Sequence, residues 1–138
     1  MTSPLQNPVS IDEIVENFSI LDEWDDRYGY LIELGRMLTP LDEGEMSDTN
    51  KVKGCVSQVW VVAQKEGDRY MFRGASDAHI VRGLVAVALT LFSNKTAEEI
   101  SALNERETFE AIGLEEHLTP QRANGLRAMV KKLKDLAA

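Results

Sequence analysis

KVKGCVSQVWVV, residues 51–62, is where the character of the chain changes. Ahead of it, apolar residues recur at helical spacing. Its second half, Val59-Trp60-Val61-Val62, is β-branched and aromatic, the composition of a strand. Glu66-Gly67-Asp68 then supplies a turn, and Tyr70 and Phe72 alternate with Arg69 and Arg73 as far as Gly74. The pattern predicts an antiparallel hairpin. A hairpin alone is marginal in water, so the sheet must lie against helices. Lys51-Val52-Lys53 is expected to add a short third strand. The same stretch holds Cys55, the only cysteine among 138 residues, on the connection between strands.

On either side the periodicity is helical. Ser10 to Glu13 has the form of a capping box. Ile11, Ile14, Val15 and Phe18 follow as one stripe, predicting a first helix to about Phe18 or Ile20. Asp22 is expected to cap a second helix, on which Trp24, Tyr28, Leu31 and Ile32 share a face and which ends near Gly35. The two should form a hairpin or bent pair. Residues 1–9, with Pro4 and Pro8, read as a loose leader, and residues 42–50 as a polar loop. Beyond the hairpin, Ser76 or Asp77 is expected to cap a helix that is apolar over a wide arc, from Ile80 to Phe92, and therefore buried. Thr96 to Glu99 is a further capping box, opening a short helix to about Leu103. Phe109 to Ile112 reads as one more turn, closed by Gly113. Thr119-Pro120 opens a last helix running to about Leu136. Helices, a small antiparallel sheet of about three strands, then helices make an α+β layout, expected as one domain over residues 1–138.

Composition narrows the function. Fifteen basic and 23 acidic side chains give a net charge of −8, which argues against a nucleic-acid partner. The N-terminus has no basic segment followed by an apolar one, so no signal peptide is expected. The longest charge-free apolar stretch, residues 83–94, is too short to span a membrane. The expectation is a cytoplasmic protein without a membrane partner. One cysteine forms no internal disulfide, and it cannot hold an iron–sulfur cluster alone. With His79 and His117 it offers no close zinc-ligand spacing. The nine glycines form no phosphate loop. No metal or cofactor is expected.

Two readings of Cys55 remain open at this point. Free cysteine is among the most buried residue types, which makes it core filling. Against that, Gly54 gives the backbone freedom and allows close approach. Lys51 and Lys53 supply positive charge that favours a thiolate, and the junction of a loop with a strand is a place for functional side chains. An independent Cys/His thiol enzyme would need His79 or His117 beside Cys55, which spacing alone does not supply.

Four segments together resemble one family. NKVKGCVSQVWVV (50–62) resembles the signature of the SufE family, the sulfur acceptors of cysteine desulfurases. WDDRYGYLIELGR (24–36), GASDAHIVRGLVA (74–86) and LEEHLTPQRANGLRAM (114–129) resemble its second-helix, central-helix and C-terminal motifs, in family order. The resemblance implies an α+β fold similar to iron–sulfur scaffold proteins of the IscU type. It implies that Cys55 takes a sulfane sulfur from a pyridoxal-phosphate-dependent cysteine desulfurase, SufS-like or CsdA-like, and stimulates that enzyme. The sulfur would then pass to an iron–sulfur assembly scaffold. The protein would be a transfer partner and not itself an enzyme, a monomer or weak homodimer. The aspartate of the family's S-D-A motif falls on Asp77 and a C-terminal arginine on Arg122. With Gly54 and Ser57, these are the expected partner contacts. The chain departs from the pattern at Val56, where many relatives carry a polar residue, and at Lys51, where arginine is common. A single cysteine suits a carrier, since a second one nearby would resolve the persulfide internally. It also argues against a cluster scaffold.

Overall fold

The computed structural model describes residues 3–54 and 57–138, apart from the side chains of Glu115 and His117. Its elements are α1 (Ile11–Ile20), α2 (Trp24–Arg36), β1 (Val59–Glu66), β2 (Arg69–Ser76), α3 (His79–Phe92), β3 (Lys95–Thr96), α4 (Ala97–Ala102), α5 (Glu105–Ile112), α6 (Leu114–His117) and α7 (Pro120–Leu136). The strands form one antiparallel sheet in the order β1-β2-β3, so the fold is α+β.

The third strand is not where the sequence places it. β3 pairs with the start of β2, Arg69 opposite Thr96 and Tyr70 opposite Lys95. Lys51 makes only an isolated bridge to Trp60, at the other edge of the sheet. Pairing stops there because the chain turns at Lys53-Gly54, where Gly54 has φ +93°. That left-handed conformation carries the backbone off the sheet edge.

The hairpin register places Val59, Val61 and Ala63 opposite Ser76, Gly74 and Phe72 on one face. Against this face lies α3, buried without interruption from Gly83 to Leu89. Gly74 sets the spacing. A Cβ there would stand 2.9 Å from both Val85 Cγ1 and Leu89 Cδ1, closer than packed carbons approach. On the far side of α3, α2 crosses almost backbone to backbone. A Cβ on Gly83 would overlap the Leu31 carbonyl, and one on Gly35 would stand 2.7 Å from Arg82 Cβ. α7 packs beside α3, and α1 packs against α3 and α5. A single core cluster joins these elements, with Phe18, Phe72 and Phe92 at most 1% exposed. Each such ring stabilises the fold by about 1.5–3 kcal/mol relative to leaving it in water.

Local signals locate most helix ends. Ser10, Thr96 and Thr119 each accept a backbone N–H three residues on, and Thr96 forms the full reciprocal box with Glu99. Others are corrected. α2 begins after Glu23, not Asp22, and has no side-chain cap. Its main neighbour is α3, while α1 meets it through an edge-on Phe18–Tyr30 contact of 5.1 Å. α5 extends two turns, and Gly113 closes it at φ +72°. The leader expected over residues 1–9 is held at residues 3–6. Leu5 is 2% exposed and bridges Leu38, while Gln6 N–H donates to the Met37 carbonyl and Thr39 N–H to the Pro4 carbonyl. The two prolines leave a strand-like ribbon that pairs with the chain leaving α2.

Candidate functional site

Cys55, with Val56, lies outside the described residues. The site is therefore built from what holds the segment on either side. At its entry Val52 is buried, and its N–H donates to the Val59 carbonyl at 2.8 Å. At its exit Gln58 N–H donates to Asp77 Oδ1 at 3.1 Å, and Asp77 N–H donates back to the Gln58 carbonyl at 3.3 Å. Residues 53–58 thus leave and rejoin the sheet at adjoining points. Asp77 is not the helix cap expected of it. Ala78 holds that position without a side-chain bond, and Ser76 Oγ accepts the Ala78 N–H. The register gives the reason. Val59 pairs with Ser76, so the next residues outward, Gln58 and Asp77, face each other.

The loop ahead of the segment is also fixed. Glu45 accepts two hydrogen bonds from the Arg73 guanidinium, at 3.0 and 2.6 Å. These bonds, with the Asp42 N–H, hold the Glu45 carboxyl below its ordinary range, and the same pair raises Arg73. Glu45 in turn accepts Asn50 Nδ2 on its backbone carbonyl, and Lys132 Nζ on α7 donates to the Thr49 carbonyl. The approach to Lys51 is thereby tied to both β2 and α7.

Ser57 and Arg122 line one groove of 220 Å³ between the start of α3 and the start of α7. Its floor is apolar, with Val81, Leu84, Leu126 and Met129. Thr119 at the N-cap of α7 accepts the Arg122 N–H at 3.2 Å, which fixes the backbone that carries this arginine. Gly54 lies on a different face, against Ala128 of α7. Asp77 borders a larger depression of 610 Å³ with Trp60, Arg36 and Arg82. The structure therefore brings Ser57 and Arg122 together and assigns Asp77 to the base of the segment. Val81 and Leu84 read in the sequence as part of the buried helix, and periodicity carries no signal that they also floor a groove. Gln58 carries none either, because it acts through its backbone. His79 opens α3 and is exposed, and the His117 side chain is outside the described residues. Among the described residues no group of three or more metal-ligating side chains converges. Among the described residues no helix is long and apolar enough to cross a membrane.

A small α+β protein with one cysteine on a segment pinned at both ends is the class that fold and site define. A solved structure of a protein from Thermus thermophilus has the same fold, with a TM-score of 0.74, 22% identity, and 92% of each chain covered. The family model described as Fe-S metabolism associated domain, SufE, matches residues 12–137. A SufE-like protein of Rhizobium meliloti (strain 1021) is 51% identical over 132 residues, covering 93% of this chain and 94% of its own. One of Rhizobium etli is 52% identical, covering 93% and 89%. The chain belongs to the SufE family. Membership carries a sulfur-transfer role, with a cysteine desulfurase, in iron–sulfur metabolism.

Proposed function

We propose that Cys55 is the sulfur acceptor. Its thiolate attacks the outer sulfur of the desulfurase's cysteine persulfide. A sulfur–sulfur bond forms to Cys55 as the original one breaks, and the departing electron pair stays on the desulfurase cysteine as a thiolate. No oxidant is consumed. The persulfide on Cys55 is then delivered by a second displacement to an iron–sulfur assembly scaffold. Emptying the desulfurase in this way stimulates its turnover, so the protein works as a cytoplasmic accessory and not as an independent enzyme. Gly54, Ser57, Asp77 and Arg122 contribute to docking. The protein acts as a single unit over residues 1–138, as a monomer or weak homodimer.

The observation that carries this reading is that the chain's only cysteine falls on the segment 53–58, closed at its base by the Val52–Val59 and Gln58–Asp77 hydrogen bonds. Such an arrangement presents one nucleophile from a rigid scaffold. Family membership supplies the partner class. The test is mass spectrometry of the protein mixed with a SufS-type desulfurase and free cysteine. Cys55 should gain one sulfur atom, and desulfurase turnover should rise. Absence of the added sulfur, together with normal stimulation by Cys55→Ser, sinks the reading.

A further inference from the structure

Beside Gly54 lies a depression of 320 Å³ lined by Lys51, Lys53, Lys131 and Lys132, with Ala128, Leu136 and Asp135. Gly54 marks its position, because a Cβ there would sit 3.5 Å from Ala128 Cβ. The cysteine segment therefore borders this basic surface directly. The contrast with the rest of the molecule is large. Removing these four lysines and one aspartate from the 15 basic and 23 acidic side chains leaves 11 and 22. Positive charge is concentrated beside Gly54, the residue before Cys55 in sequence, on a chain that is otherwise acidic two to one.

Little inside the protein uses that charge. Lys131 pairs with Asp135 at 3.4 Å, both largely exposed, a contact worth at most a few tenths of a kcal/mol. Among the described residues Lys132 donates to a backbone carbonyl, that of Thr49, and to no carboxylate. Among the described residues Lys51 and Lys53 have no acidic partner. The ammonium groups ring a small aliphatic floor of Ala128 and Leu136, so the depression suits a carboxylate-bearing protein surface.

We propose that this lysine-lined depression receives an acidic face of the cysteine desulfurase and guides its persulfide to Cys55. The inference rests on the proposed role of Cys55. Clustered charge of one sign accelerates encounter with an oppositely charged surface by about 10- to 1000-fold at low salt. It governs how often partners meet, while the displacement between sulfurs proceeds at its own rate once they have met.

The experiment measures transfer to Cys55 from a SufS-type desulfurase against protein concentration and salt, for wild type and for Lys131→Glu with Lys132→Glu. Both positions lie on α7, off the segment that carries the thiol, and the neutral pair Lys131→Gln with Lys132→Gln controls for packing and for the Lys132–Thr49 hydrogen bond. The charge-reversed protein should lose about 10-fold in the second-order rate constant at low salt, and the neutral pair less. High salt should bring wild type down to the same level, since the Debye length shrinks to about 3 Å at 1 M. The saturated rate and alkylation of Cys55 by the uncharged reagent iodoacetamide should not change. Equal rate constants with no salt dependence overturn the inference and leave the sulfur-acceptor role standing. Altered iodoacetamide reactivity overturns it in favour of an effect on the thiol. A salt-sensitive homodimer lost in the variants assigns the depression to a second copy and likewise overturns it. Failure of wild-type Cys55 to acquire sulfur removes the acceptor reading itself.

Discussion

Asp77 shows how much one residue's role depends on a partner far along the chain. Read locally, an aspartate just ahead of an apolar helical stretch is a cap. In the structure it holds the backbone of Gln58, 19 residues away in sequence, and so closes the exit of the cysteine segment. Removing its carboxylate in Asp77→Ala leaves an N–H that water can reach, so stability should fall by only about 1 kcal/mol. Sulfur transfer should fall several-fold, because the exit of the segment keeps only the backbone bond from the Asp77 N–H to the Gln58 carbonyl. Asp77→Asn keeps an oxygen acceptor for Gln58 but loses the charge. If the hydrogen bond is what matters, the asparagine variant restores transfer. If it transfers as poorly as the alanine variant, Asp77 acts through its charge on the partner. Stopped-flow transfer rates alongside urea titrations separate these outcomes.

At the scale of elements, what the sequence disclosed depended on how local the determinant was. Thr96 and Thr119 cap helices through atoms three residues away, and both caps were legible. The hairpin was legible from alternation and a turn. β3 was not, because two residues are too few to carry a period, and Lys95-Thr96 joins the sheet only through β2. The ribbon at residues 3–6 was hidden for a similar reason, since its partners lie at 37–39. The candidate site divided in the same way. Cys55, Asp77 and Arg122 came from motifs, whereas the groove floor and the lysine cluster arise where α7 passes the segment. The α2–α3 crossing makes a prediction at this scale. Gly83→Ala forces a Cβ into the Leu31 carbonyl and should destabilise by about 3 kcal/mol, at the upper end of overpacking costs. Gly29→Ala, in α2 with nothing within 4 Å of the new Cβ, should instead stabilise by about 0.5–1 kcal/mol. Thermal unfolding of the two variants should move in opposite directions. An unchanged or raised midpoint for Gly83→Ala contradicts the close crossing, and a fall for Gly29→Ala contradicts the open space at that position.

For the molecule as a whole, the pH dependence of stability should draw on the loop that precedes the cysteine segment. Arg73 holds the Glu45 carboxyl below its unfolded value of 4.5, and hydrogen bonds from Thr96 do the same for Glu99. The folded state therefore binds these protons less readily than the unfolded state. The stabilisation is complete above 4.5 and is lost as pH falls through the depressed folded values. Urea midpoints measured from about pH 7 down to about pH 3 should decline, and Glu45→Gln should flatten part of that decline. An unchanged slope in this variant would remove the Glu45–Arg73 pair from the account. The same anchoring has a consequence for reach. Cys55 is three residues beyond Val52, whose N–H is bonded to β1. Fully extended chain spans at most about 3.6 Å per residue, so with that clamp closed the Cys55 Cα stays within about 11 Å of Val52. The segment is a short tether of fixed length. For the proposed acceptor role this sets a limit: a partner whose persulfide lies in a channel deeper than that reach must open to meet Cys55, and one with a shallower channel need not.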